Sequence, residues 1–253
     1  MEDFDITVEC TVTENAALYR FTFPKGTQQS NVLLRVNGNA DIEITGKDGI
    51  EGKLKGQNRW GRYFYAAFSK PFDVSGTWGN NKKLTSKREI SGEDVGGFVT
   101  YSTLNGESVE MKIAVSQEGI KQAKKYLEDE IPDWNFEKAR QRAREIWNKE
   151  LSRIKITGGT KSQRTIFYTS LYRTMWRKGN VWDTYRCAYP LQTIIEPEVN
   201  MQVLRDFVRT YEESGWLPSS GAMIGNHATP VFLDAYVKGL RDFDVKKAYE
   251  GMK

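Results

Sequence analysis

Along the first part of the chain hydrophobic and polar residues alternate at period two. Ile6-Thr7-Val8-Glu9-Cys10-Thr11-Val12 and Tyr19-Arg20-Phe21-Thr22-Phe23 are the plainest runs. Successive strand residues point to opposite faces, so such runs predict half-buried strands. Val32-Leu33-Leu34-Arg35-Val36 is expected to end at Asn37-Gly38. Ile42-Glu43-Ile44 is expected to end at Gly46, with Asp48-Gly49 just beyond. Asn and Gly supply the positive φ of tight hairpins, so both places read as turns. Tyr63 to Phe68, Gly97 to Tyr101 and Val109 to Val115 continue the series. Short strands with turn signals between them predict an antiparallel β-sandwich over residues 1–116. The first strand begins almost at once, so neighbouring strands of the sandwich are expected to lie outside this chain.

The period then becomes helical. Ser116 is expected to N-cap a helix from Gln117 to Glu130, with Pro132 beyond it. Asn135 opens a second helix whose apolar positions Phe136, Ala139, Ala143, Ile146, Trp147 and Leu151 follow the helical repeat. This charged helix is expected to bridge two domains or pack one on the other, so 117–157 reads as a helical linker. Thr160 and Gln163 form a capping-box pair for a helix to about Lys178. A loop from Trp182 to Arg186 follows, then a short helix from Pro190 to Ile195. Pro197 suits the first turn of the next helix, which stops at Gly215. A second loop, Trp216 to Gly221, leads to Gly225-Asn226-His227-Ala228-Thr229-Pro230. A helix from about Pro230 to Lys238 comes next. Asp244 caps a last helix, which the end of the chain is expected to cut short. Strands first and paired helices afterwards predict a multidomain chain, β then α, with residues 158–253 as the helical domain. Loops returning to one end of paired helices would bring Trp182 to Arg186 close to Asn226 and His227.

Composition narrows the class. Hydrophobic residues are 39% and charged residues 28% of 253, with a mean hydropathy of -0.60, which suits a folded core rather than disorder. The 37 basic and 33 acidic residues are interspersed, so the net charge of +4 gives no nucleic-acid or anionic-membrane footprint. No apolar run approaches a membrane span, and Met-Glu-Asp-Phe-Asp is not a signal peptide. Cys10 and Cys187 lie far apart and make neither a disulfide framework nor a zinc site, which leaves the redox compartment open.

Candidate chemistry concentrates in Trp182-Asp183-Thr184-Tyr185-Arg186. An aromatic face that can stack on a pyranose, beside a carboxylate that accepts hydroxyl hydrogen bonds, suits a sugar site. The same residues also suit a surface loop with an ordinary ion pair, Arg186 holding Asp183. His227, the sole histidine, reads either as a structural hydrogen-bonder or as part of a site. Trp60 and Trp78 belong to the sandwich, as core or surface. Asp234, Asp242 and Asp244 read as helix-face and cap residues, and Glu196 and Glu198 as acids flanking Pro197 at a helix start.

Several motifs in order resemble glycoside hydrolase family 92. They are Trp182 to Arg186, Tyr189-Pro190-Leu191, Gly215-Trp216-Leu217-Pro218, Met223 to Val231, and Asp234 to Asp244. Phe68-Ser69-Lys70-Pro71-Phe72 and Gly76-Thr77-Trp78 agree more weakly. The resemblance implies an N-terminal β-sandwich and a C-terminal (α/α)6 barrel with the active site between them. It implies a calcium-dependent, exo-acting, inverting α-mannosidase. In that mechanism one carboxylic acid protonates the leaving oxygen and another activates water on the opposite face. It further implies that Trp182, Asp183, Arg186, Asn226 and His227 contact a mannose-containing oligosaccharide or N-glycan, and by analogy that the whole protein is periplasmic or secreted. The family's general-acid Thr-Leu-Glu-Tyr motif, its Asn-Asp-Asp-Cys-Gly base motif and the calcium-associated Asn-Glu-Pro stretch do not occur in these 253 residues. The segment from Pro218 to Met223 is also short for the family. The expectation is therefore a fragment covering part of the sandwich and the first barrel helices. Its catalytic acid, base and calcium ligands would lie elsewhere, and it would have no hydrolase activity alone. A non-catalytic carbohydrate-binding protein of the same architecture is the alternative. A disaccharide phosphorylase fits the architecture but not the motifs.

Overall fold

The computed structural model describes residues 4–56, 62–79, 82–84, 87–176, 181–219 and 223–253. They divide into two compact units, Met1–Ile146 and Trp147–Lys253. The first unit opens with β1 (Thr7–Val12), β2 (Ala16–Thr22), β3 (Thr27–Thr45), β4 (Gly49–Leu54) and β5 (Tyr63–Phe68). It continues with β6 (Val74–Gly79), β7 (Lys82–Leu84), β8 (Glu89–Thr103) and β9 (Ser108–Ser116). Among the described residues these nine strands form one ladder, ordered β1-β2-β9-β5-β4-β3-β8-β6-β7. Every pairing in it is antiparallel.

The two long strands make the ladder a sandwich. Residues Ala40 to Thr45 of β3 pair with β4, whereas its earlier half pairs only with β8 among the described residues. Between the halves the register slips at Val36/Asn39. Gly38 sits there at φ +113°, with Asp94 at φ +54° on the partner strand. Arg35 grips Asp94 at 2.5 and 2.7 Å beside this slip. A bulge of this kind bends both strands. Asn37-Gly38 is therefore not the hairpin turn expected from sequence. The same positive φ serves a kink inside a continuous strand, because residues 39–43 find register partners on β8. The two halves enclose one core, in which Val32 and Tyr101 meet Ile44, Phe64, Val109 and Met111.

The strand alternation predicted from sequence is visible in burial. Phe64, Ala66 and Phe68 of β5 are buried while Tyr63, Tyr65 and Ala67 between them are half-buried. On the back of β2 and β9, helix α1 (Ile120–Glu130) lays Ala123 and Leu127 against Leu18 and Ala114. This helix begins later than expected. The Ser116 hydroxyl accepts from the N–H groups of Glu118 (3.0 Å) and Gly119 (3.4 Å), so it closes the turn before the helix rather than its first turn. Lys112, buried in β9, donates to the Ile131 carbonyl at 2.7 Å and lies 4.2 Å from the centre of the Trp134 ring. Burial pulls its pKa below the ordinary lysine value.

Helix α2 (Phe136–Leu151) starts where Asn135 predicts, its side chain accepting from the Lys138 N–H at 2.9 Å. Phe136 is buried under the Arg20 guanidinium, which sits 4.3 Å from the ring centre. Ile146, expected on the apolar face, is 54% exposed. The division between the units falls inside this helix.

The second unit holds the end of α2 and then α3 (Lys161–Trp176), α4 (Val181–Thr184), α5 (Ala188–Ile195), α6 (Pro197–Ser214), α7 (Ala228–Val237) and α8 (Val245–Met252). Their ends follow local rules. Thr160 and Gln163 exchange bonds of 2.8 and 3.2 Å, which completes the capping box. Pro197 takes the first turn of α6, and Gly215 ends that helix at φ +77°. Asp244 accepts the Lys247 N–H at 2.9 Å at the start of α8. Val181, Tyr189, Leu204, Phe207, Phe232 and Ala235 form the heart of this unit's core. Among the described residues no helix is long and apolar enough to cross a membrane.

Candidate functional site

Trp182 to Arg186 is not the loop expected from sequence. Residues Val181–Thr184 make one helical turn, and the Tyr185 N–H continues it to the Val181 carbonyl at 3.0 Å. The turn forms because Val181 and Thr184, three residues apart, share one face and are both buried. That leaves Trp182 half-buried and Asp183 exposed on the opposite side.

The exposed Arg186 guanidinium lies over aromatic faces, 4.7 Å from the Tyr185 ring centre and 5.8 Å from that of Trp182. Both separations are within cation–π range. The guanidinium expected from sequence to hold Asp183 or a ligand is thus also in reach of two rings. Asp183 has interactions of its own and is held rather than loose.

His227 reaches the same place from the turn before α7. Its ring centre stands 5.0 Å from that of Tyr185, tilted by 36°. Gly225, at φ +121°, allows this approach, because a Cβ there would stand 3.1 Å from His227 Cε1. The His227 Nδ1 atom is buried and meets no hydrogen-bond partner among the described residues. Asn226 beside it is exposed. The structure thus brings Trp182, Arg186 and His227 together, and it does so through Tyr185. Tyr185 lies in the five-residue motif but is not among the residues that the resemblance sets against the sugar. Its only signal was its place in the motif, since a tyrosine between Thr184 and Arg186 looks the same whether it faces a core or a ligand.

The remaining candidates lie in other settings. Thr193 accepts from Asn200 Nδ2 at 2.7 Å and donates to the Tyr189 carbonyl at 2.9 Å. Asp234 joins this group through Thr193 (3.4 Å) and pairs with Lys238 at 2.7 Å, so it is a network residue rather than a plain helix-face acid. Asp242 pairs with Arg205. Glu196 is buried at the junction of α5 and α6, and Glu198 lies in the first turn of α6. In the sandwich, Trp78 is half-buried with the Arg35 guanidinium 5.2 Å from its ring centre. Trp60 lies outside the described residues. Among the described residues no three of His, Cys, Asp and Glu come together as a metal cradle.

The two-part arrangement has close structural counterparts. An inverting mannosidase of family GH92 from Bacteroides thetaiotaomicron matches with a TM-score of 0.90 at 26% identity, over 98% of this chain and 39% of that one. The fold of an α-mannosidase of the same family and organism matches with a TM-score of 0.87 at 24% identity, over 99% of this chain and 41% of that one. The class is therefore a glycosidase fold, an antiparallel sandwich followed by the start of a helical barrel. In sequence, the chain is 31% identical over 290 aligned positions to an uncharacterized secreted glycosidase from Arthroderma benhamiae, covering 98% of this chain and 36% of the relative. Residues 1–116 match the glycosyl hydrolase family 92 N-terminal domain, and residues 122–181 and 177–253 match the family's catalytic domain. The chain belongs to glycosyl hydrolase family 92. It spans well under half the length of these relatives.

Proposed function

We propose that this chain is the sandwich and first-helix portion of an α-mannosidase, and that the turn from Trp182 to Arg186, with Asn226 and His227, forms part of the pocket for a terminal mannose. One observation carries the reading: in a family 92 chain, a guanidinium lies within cation–π range of two aromatic rings beside the exposed residue Asp183. The ring contacts restrain the guanidinium, whose N–H donors suit ligand oxygens. The Asp183 carboxylate accepts from hydroxyl groups. An aromatic edge or face at Trp182 covers the apolar side of the ring. Trp182, Asp183 and Arg186 bind and orient, while Asn226 and His227 border them. Proton transfer in an inverting, exo-acting hydrolysis needs two further carboxylates, and neither family motif for them occurs in this sequence. Calcium, which the resemblance implies, finds no cluster of three His, Cys, Asp or Glu side chains among the described residues.

The test has two arms. Purified chain incubated with α-linked mannobiose releases no mannose above an empty-vector control; release would overturn the division of labour. Titrated with methyl α-mannoside by NMR, the chain binds weakly, and Asp183→Ala or Arg186→Ala weakens binding about tenfold, the loss of one hydrogen bond to a charged group. Equal binding of wild type and both variants would remove these residues from the pocket. The non-catalytic carbohydrate-binding alternative is favoured by the missing carboxylate motifs alone. A complete polypeptide that binds mannoside yet never releases it would decide for it.

A further inference from the structure

Two observations at the site still lack a role. Tyr185 carries the guanidinium, and His227 is packed on Tyr185 with a buried, unpartnered Nδ1 among the described residues. A histidine placed to relay a proton or ligate is ordinarily oriented by a hydrogen bond to its other ring nitrogen. Here the buried nitrogen has none, so contacts of the ring itself hold it in place. It is confined by Tyr185, at 5.0 Å between centres, and by the backbone of Gly225.

The geometry points to His227 and Tyr185 as positioning residues that hold the Arg186 guanidinium ready for two adjacent sugar oxygens. The chain of contacts runs His227 to Tyr185 (5.0 Å), Tyr185 to Arg186 (4.7 Å) and Arg186 to Trp182 (5.8 Å). A free arginine side chain samples many rotamers and loses them when it binds. One already restrained by two neighbouring rings loses fewer, so affinity rises without a new ligand contact. The planar fork of donors fits a vicinal pair of pyranose hydroxyls. The contact is assembled by the fold, since its two halves come from the turns before α5 and before α7, which pack in one core. Gly225 is part of the device: at φ +121°, with a Cβ that would press on the His227 ring, no other residue leaves that ring undisturbed.

The ligand in this inference rests on the mannose-pocket reading, but the positioning is measurable without any sugar. His227 is the sole histidine, so its imidazole proton signals identify themselves in NMR spectra. They are expected to carry a ring-current shift that disappears in Tyr185→Leu. The Arg186 Nε–H signal, assigned by its loss in Arg186→Lys, is expected to be sharp in wild type. It broadens in Tyr185→Leu and His227→Ala, and it recovers in His227→Phe, which keeps a ring without nitrogens. Methyl α-mannoside binding follows the same order, about tenfold weaker in His227→Ala and restored in His227→Phe. An Arg186 signal unchanged in His227→Ala overturns the inference. So does His227→Phe binding as poorly as His227→Ala, which would make the ring nitrogens direct ligand contacts. Should no variant and no wild type bind sugar, the pocket reading falls, and the positioning is judged on the NMR signals alone.

Discussion

Phe232→Ala is the sharpest probe of the helical unit. Phe232 is 1% exposed on α7 and packs against Phe207 and Phe243, with ring centres at 5.9 and 5.3 Å. Truncating a buried Phe to Ala costs about 3–5 kcal/mol, the spread reflecting how far the site collapses. Here an apolar groove of about 300 Å³, bordered by Leu233, Tyr236, Tyr249 and Met252, adjoins the ring and gives its neighbours room to move. That argues for the middle of the range, about 4 kcal/mol. For a unit of about a hundred residues, with unfolding entropy of about 2.1 cal/mol/K per residue, this lowers Tm by about 15–20 °C. Far-ultraviolet circular dichroism at the helix minimum reads the transition of this unit. The helical transition is expected to fall by that amount while Phe232→Leu falls by much less. A drop smaller than about 5 °C for the alanine variant would refute the reasoning, because the unit would then be held by something other than this aromatic core.

Other outcomes follow from single contacts. Burial depresses the Lys112 pKa in the folded state, so in the window just below the ordinary value of 10.5 the unfolded chain binds more protons and stability rises with pH. The penalty of burying the charge is fully present below the folded-state pKa. The stability of Lys112→Met relative to wild type, from urea unfolding, is therefore expected to decline as pH rises through that window, and a flat difference would contradict it. Asp244→Ala removes the cap bond to the Lys247 N–H and is expected to cost about 1 kcal/mol, with faster amide exchange confined to the first turn of α8. Gly225→Ala is expected to displace the His227 imidazole signals without loss of helix content, since the clash is with that ring and not with the core.

Much of the fold was legible wherever one or two turns of chain contain the whole interaction. The capping box at Thr160 and Gln163, the cap at Asn135, the left-handed stop at Gly215 and the cap at Asp244 all stand where residue type placed them. Each links groups within about four residues, so no distant partner could alter it. The order of sandwich and helices was legible for a similar reason, because period two and period 3.6 are properties of the local chain.

Elsewhere the sequence was neutral between two structures. Asn37-Gly38 offers a positive φ equally to a hairpin and to a bulge, and only the register against β8 makes it a bulge inside β3. Val181 to Thr184 became a helical turn because Val181 found a core to enter. Arg186 beside Asp183 suggested an ion pair, and nothing in the spacing announced that the guanidinium would also lie over the Tyr185 ring. The sequence by itself determined the order of strands and helices, the capped helix ends and the family, since those are written in short-range pattern and motif. Tertiary structure alone decided that Tyr185 joins Arg186 to His227. Stacking partners meet in space, and nothing in the spacing of two turns along the chain records which of their faces will touch.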